Sequence, residues 1–98
     1  MRAAKTDANQ KDIVAGLRSI GATVQPLHAV GKGCPDLLVG YRRANYAIEV
    51  KDGAKPPSAR TLTPDQVEWH GGWAGQVDIA CSLDDALRII GATHKADR

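Results

Sequence analysis

Two runs of alternating residues, Asp36–Tyr41 and Tyr46–Lys51, restrict this chain more than any other feature. Leu37, Val39 and Tyr41 alternate with Asp36, Leu38 and Gly40 in the first run; Tyr46, Ile48 and Val50 alternate with Ala47, Glu49 and Lys51 in the second. A period of two belongs to a half-buried strand. The pair reads as a β-hairpin whose turn lies within Arg42-Arg43-Ala44-Asn45. Pairing Tyr41 with Tyr46 sets Val39 against Ile48 and Leu37 against Val50, so the large apolar residues share one face. Asp36 then lies opposite Lys51 and diagonal to Glu49. A slip of one residue sets Leu37 against Glu49 and mixes apolar with charged side chains, which the pattern disfavours.

The second face of this hairpin carries the chemistry. Glu49 and Lys51 are two apart on one strand and project the same way. Hard divalent cations such as Mg²⁺ and Mn²⁺ prefer oxygen ligands. Two carboxylates anchor such an ion and leave positions open for water and a phosphate oxygen. The ion lowers the pKa of water and neutralises transition-state charge. Lys51 is placed to orient the attacking water or to stabilise developing negative charge. Taken singly, Glu-x-Lys is an ordinary solvated strand face and Pro35-Asp36 an ordinary turn signal; the combination is what points to a phosphodiester.

Gly33-x-Pro35-Asp36-Leu37-Leu38-Val39, Ile48-Glu49-Val50-Lys51 and Leu62-Thr63-Pro64-x-Gln66 together resemble the PD-(D/E)xK nuclease superfamily, most of all its small stand-alone VRR-NUC branch of phages and prophages. The resemblance covers most of the chain, from the first helix to the last. It implies a restriction-endonuclease-like core and Mg²⁺- or Mn²⁺-dependent DNA cleavage. It also implies homodimers acting on branched or otherwise structured DNA. Residue by residue, Asp36 and Glu49 match the metal ligands, the Val50 carbonyl a backbone ligand, Lys51 the catalytic lysine, and Gln66 the helix glutamine near the site. One departure stands out. Many relatives carry an acidic residue on the first helix, whereas this helix begins Thr6-Asp7-Ala8-Asn9-Gln10-Lys11-Asp12, with no glutamate. Asn9, Gln10, Asp7 and Asp12 are the candidates to replace it.

Size and composition agree with one domain over residues 1–98: the chain has 98 residues and is 43% hydrophobic, enough for one modest core and too apolar for a disordered chain. No apolar run reaches membrane-spanning length and no signal peptide is visible, so the expectation is a cytoplasmic protein; the resemblance to the phage and prophage branch implies that the cell is a bacterial host. Cys34 and Cys81 lack the C-x-x-C pairing of zinc or redox motifs and read as reduced thiols, Cys34 as a small packing residue. The net charge is only +2, so local charge matters more. Lys32, Arg42, Arg43, Lys55 and Arg60 surround the acidic pair and form a candidate DNA-binding set. For Arg42 and Arg43 a mere solubilising role at the hairpin tip weighs equally. Gly31-Lys32-Gly33 lacks the full phosphate-loop pattern.

The remaining segments frame the hairpin. Ile13, Val14, Leu17 and Ile20 recur at helical spacing, with Thr6 or Asp7 as cap and Gly21 as stop. A short or edge strand follows around Thr23-Val24-Gln25, limited by Pro26. Asp52–Leu62 is a surface loop. Thr63-Pro64-Asp65-Gln66 starts a helix carrying Val67, Trp69, His70 and Trp73. His70 shares the face of Gln66, but an ordinary partly buried histidine is the better-supported reading. Trp69 and Trp73 read as core or interface rather than as a base-stacking platform; with no Phe, the small core calls for at least one of them. Gln76–Cys81 forms a strand with Val77 and Ile79 on one face. Ser82-Leu83-Asp84-Asp85 opens a last helix buried through Leu83, Ala86, Leu87, Ile89 and Ile90, with a one-sided cap at Asp85. After Ala92 the polar tail reads as frayed. The order αβββαβα predicts an α/β fold with a mixed four-stranded sheet flanked by helices. An exposed sheet edge and the two tryptophans favour a homodimer.

These readings converge on a metal-dependent DNA endonuclease with little sequence specificity. The alternatives are a catalytically inactive DNA-binding module of the same fold, favoured by the missing first-helix glutamate, and a non-enzymatic phage interaction protein whose charged face is merely solvated.

Overall fold

A computed structural model describes residues 7–92; the expectations for Thr6 and for the polar tail after Ala92 lie outside these residues. The elements are α1 (Gln10–Ser19), β1 (Thr23–Pro26), β2 (Leu37–Tyr41), β3 (Ala44–Val50), α2 (Pro64–Gly72), β4 (Asp78–Ala80) and α3 (Leu83–Ile89). The strands form one sheet in sequence order. β1–β2 and β2–β3 pair antiparallel and β3–β4 pair parallel, with α2 in the crossover that parallel pairing requires. The fold is therefore a mixed four-stranded sheet flanked by helices, as the element order predicts.

Alternation decides which way each strand residue faces. Val24, Leu37, Val39, Ile48, Val50 and Ala80 turn to one side and pack with Ile13 and Leu17 of α1 and with Ala86 and Ile90 at α3. Fully burying each large aliphatic side chain contributes roughly 1.5–3 kcal/mol. On the opposite face Leu38 and Ile79 stay more than 40% exposed. α2 contributes no buried residue, so neither tryptophan enters the core, contrary to the expectation from the missing phenylalanines. Aliphatic residues of α1, α3 and the sheet fill the interior without an aromatic ring.

The hairpin register also differs from the expected one. Tyr41 pairs with Ala44, Val39 with Tyr46 and Leu37 with Ile48, two residues away from the Tyr41–Tyr46 register. A two-residue shift keeps every side chain on its own face, so hydrophobic alternation cannot distinguish the two. The turn decides: Arg42 (φ 52°) and Arg43 (φ 70°) form a two-residue loop with both residues left-handed, the geometry whose twist matches the flanking strands. Asp36, one step beyond the Leu37–Ile48 pair, therefore sits opposite Glu49 rather than Lys51.

Smaller differences follow the same logic. α1 takes Asn9 as its N-cap without a side-chain cap bond, and the chain turns in through Gln10 N–H donating to the Asp7 carbonyl at 3.0 Å. Gly21 (φ 94°) ends the helix as expected. β1 is short and at the sheet edge, with Pro26 as its last residue. β4 spans three residues and leaves Val77 outside it. Ser82 Oγ accepts from Asp85 N–H at 3.1 Å, while Asp85 Oδ2 reaches past the cap to Cys81 N–H at 2.8 Å. The last-helix cap is accordingly one-sided.

Candidate active site

The open end of the hairpin gathers Asp36, Glu49, Lys51 and Gln66. Beyond the last β2–β3 pair, Leu37–Ile48, the Val50 N–H donates to Asp36 Oδ2 at 2.7 Å, which fixes that carboxylate beside Glu49. Glu49 and Lys51 share the face away from α1 and α3 and are both buried, Glu49 to 1% exposure. A buried charge needs partners, and α2 supplies them through one side chain. Gln66 Nε2 donates to Glu49 Oε2 at 2.9 Å, and its Oε1 accepts from Lys51 Nζ at 2.8 Å. The same Oε1 accepts the Thr63 N–H at 2.9 Å, while Thr63 Oγ1 accepts the Gln66 N–H at 3.3 Å. This is a capping box. The residues that start α2 thus also clamp the two central side chains of the site.

Electrostatics leaves this cluster short of positive charge. Burial, then the charge of Asp36 and a hydrogen bond with it, push the Glu49 carboxyl up to about 8; Lys51, 3.7 Å away, pulls the other way and loses. Asp7 also raises it, which places the start of the first helix within electrostatic reach of the site. His70 Nε2 lies 4.0 Å from Glu49 Oε1. Burial and Lys51 lower the His70 pKa, so near neutral pH this contact joins two neutral groups rather than an ion pair. Cys34 is raised by burial and then by Glu49 and Asp36, which keeps it a thiol and removes any claim to nucleophilicity.

The residues present fit a hard divalent cation. Asp36, Glu49 and the Val50 carbonyl are all oxygen donors. Glu49 Oε1, Gln10 Oε1 and Asn9 Oδ1 are buried without a hydrogen-bond partner. Among the described residues no three His, Cys, Asp or Glu side chains form a closed metal cage, so backbone and amide oxygens have to contribute. Asn9 has a further task that sequence reasoning missed. Its Nδ2 donates to the Lys51 and Cys81 carbonyls at 3.0 and 3.1 Å, tying the end of β3 to the end of β4. Asp12 is elsewhere, in a pocket of about 540 Å³ that Asp52, Arg60 and Cys81 also line. His70 was visible as a helix-face neighbour of Gln66, but only the fold reveals its approach to Glu49.

The five basic residues do not form one patch. Lys32 lines a pocket with Asp65, Glu68 and Trp69 beside α2. Lys55 and Arg60 belong to the loop after β3, where Arg60 Nε donates to the Lys55 carbonyl at 2.8 Å. Arg42 and Arg43 occupy the closed end of the hairpin, roughly 20 Å from Glu49 at about 3.3 Å per residue.

A solved structure described as "VRR_NUC domain" superposes on this chain with a TM-score of 0.61 and 26% sequence identity, covering 87% of this chain and 92% of that one. The fold is thus VRR_NUC-like. No family model matches the sequence, and no curated protein matches it. Among the described residues no helix is long and apolar enough to cross a membrane.

Proposed function

We propose that the chain is a metal-dependent DNA endonuclease that hydrolyses phosphodiester bonds in structured or branched DNA with little sequence specificity. The observation that carries this reading is the cluster at the open end of the hairpin, where Gln66 hydrogen-bonds the buried Glu49 and Lys51 and Asp36 accepts the Val50 N–H beside them, on a VRR_NUC-like fold. Asp36, Glu49 and the Val50 carbonyl would hold Mg²⁺ or Mn²⁺. When bound, such an ion neutralises phosphate charge and makes water a better nucleophile. Lys51 would stabilise the negative charge that grows as water oxygen bonds to phosphorus and the ester P–O bond breaks; the attacking water gives up a proton to solvent and the departing alkoxide takes one up from solvent. Gln66 positions Lys51 and Glu49 for that step. Lys32, Lys55 and Arg60 neutralise backbone phosphates around the site, and Arg42 and Arg43 hold a more distant part of the same duplex.

The uncovered sheet face with Leu38 and Ile79 supports a homodimer, in which two sites related by a twofold axis suit paired cuts in a junction. A monomer by sedimentation at assay concentration would remove that scheme. A phage or prophage protein working in the bacterial cytoplasm is the setting that this activity fits. The amide residues at the start of α1 favour a second reading, an inactive DNA-binding module. Cleavage of labelled single strands, duplexes, flaps and four-way junctions in Mg²⁺, Mn²⁺ and EDTA separates the two. The endonuclease cuts internally with metal only, and Glu49→Ala and Lys51→Ala both abolish cutting. Tight binding without any cutting establishes the inactive module, and neither binding nor cutting leaves an interaction protein.

A further inference from the structure

Trp69 and Trp73 are stacked, with ring centroids 4.5 Å apart and planes at 19°. They do not serve the core, since no residue of α2 is fully buried, Trp69 is half-buried and Trp73 is 51% exposed. Yet the pair is held in place. A Cβ at Gly75 would sit 2.9 Å from Trp73 Nε1, so the indole lies close against the backbone there and a side chain at that position would push it away. Trp69 in turn meets His70 edge-on at 6.0 Å between centroids, and His70 reaches to 4.0 Å from Glu49. An aromatic shelf therefore begins one side chain away from the candidate active site.

Beside Trp69 opens a pocket of about 460 Å³, lined by Lys32, Asp65, Glu68 and Trp69, within the range of roughly 300–1,000 Å³ that holds small organic molecules. Residues 65, 68 and 69 share one helix face. Lys32 is brought there by three consecutive left-handed residues, Gly31, Lys32 and Gly33 (φ 76°, 57° and 81°), of which Gly33 packs directly on the Asp65 backbone. Two carboxylates against one lysine make the pocket hostile to a phosphate. They suit a base edge, because carboxylates accept hydrogen bonds from exocyclic amines such as cytosine N4, and indole faces stack on any base.

We propose that Trp69, backed by Trp73, is a subsite for one unpaired nucleobase next to the scissile phosphodiester, with Asp65 and Glu68 favouring bases that carry an exocyclic amine and Lys32 holding the adjoining phosphate. This deepens the nuclease reading and rests on it for its substrate class. Bases inside a duplex are not free to enter, so the subsite selects DNA with an unpaired nucleotide at the cut.

The test uses the protein's own fluorescence, since the chain has only these two tryptophans. In EDTA, single-stranded oligo-dC and oligo-dA quench strongly, oligo-dT less, and a blunt duplex little. Trp69→Ala weakens single-strand binding by about five- to 150-fold, the range that 1–3 kcal/mol of stacking per base corresponds to. Glu68→Gln, an exposed change with both rings intact, weakens oligo-dC binding more than oligo-dT binding and so narrows the dC-over-dT preference. Equal quenching by duplex and single strand, or single-strand affinity unchanged in a folded Trp69→Ala, overturns the subsite. So does emission that shifts with protein concentration alone, which makes the shelf a contact between two copies. Metal-dependent cleavage without these preferences leaves a nuclease that lacks the subsite. The preferences without cleavage leave the subsite and remove the nuclease.

Discussion

Gln66 carries several tasks on one amide, and they separate on mutation. Its oxygen serves both the α2 cap and Lys51, and its nitrogen serves Glu49. Gln66→Ala removes one half of the capping box and leaves buried Glu49 and Lys51 less satisfied, a loss of about 1–3 kcal/mol of stability. Because misplacing a reacting group by about 1 Å costs on the order of a hundredfold, cleavage falls by about that factor, mostly in kcat. Gln66→Glu keeps an acceptor for Thr63 and Lys51 but sets a carboxylate against Glu49. Urea unfolding therefore shows most of the stability regained while single-turnover cleavage stays low. Equal recovery of both would show that Gln66 acts only as a cap. The glutamine was legible in the sequence as a helix-start residue near the site. Its bond to Glu49 was not, because that depends on how α2 is set over β3.

At the scale of elements, the hairpin shows what alternation can and cannot specify. The facing of Asp36, Glu49 and Lys51 was readable from period two alone. The pairing was not, since shifts by two residues leave the pattern intact and the left-handed pair Arg42-Arg43 selects among them. Neither arginine favours that conformation, which costs a non-glycine residue roughly 1–2 kcal/mol. Replacing the pair by Asn-Gly, the preferred sequence for such a turn, raises stability by about 1–2 kcal/mol in denaturant titrations. If the arginines touch phosphate, the same variant binds DNA more weakly, with the slope of log affinity on log salt reduced by about 1–2. An unchanged salt slope would assign the arginines to solubility alone. The loop before β2 is strained for a different reason. Gly33 (φ 81°) packs on the Asp65 backbone so closely that a Cβ would overlap the Asp65 carbonyl oxygen. Gly33→Ala therefore lifts this loop from α2. It loses at least 1 kcal/mol and impairs cleavage, whereas Gly31→Ala, with open space at the same φ sign, costs stability with a smaller effect on cleavage. In the sequence Gly33 is legible as the first residue of the Gly33-x-Pro35-Asp36 motif; its close approach to Asp65 depends on an element more than thirty residues further along. The expectation that at least one tryptophan enters the core fails for the same reason, because spacing on a helix does not say whether anything packs over it.

The molecule as a whole is built around a carboxyl that folds more easily protonated than charged. Glu49 is buried opposite Asp36 and its pKa rises from an ordinary 4.5 to about 8. The native state therefore holds a proton that the unfolded state releases above about pH 4.5, so stability falls as pH rises from about 4.5 to about 8 and levels off beyond. His70 opposes this at the acid end. Its lowered pKa makes the unfolded state the better proton binder below about 6.5, so its contribution grows as pH rises to that value. Cys34, raised from 9.0, acts only above the window. Between about pH 6.5 and 8 the Glu49 contribution outweighs those of His70 and Cys34. Thermal unfolding in EDTA is then expected to show a midpoint that falls from pH 6.5 to 8, and Glu49→Gln, which cannot ionise, flattens that slope. A divalent cation held by Asp36 and Glu49 binds the ionised form, so Mn²⁺ raises the midpoint more at pH 8 than at pH 5.5. A slope that persists in Glu49→Gln would move the linkage to another group, and Mn²⁺ stabilisation independent of pH would place the cation away from this carboxylate pair.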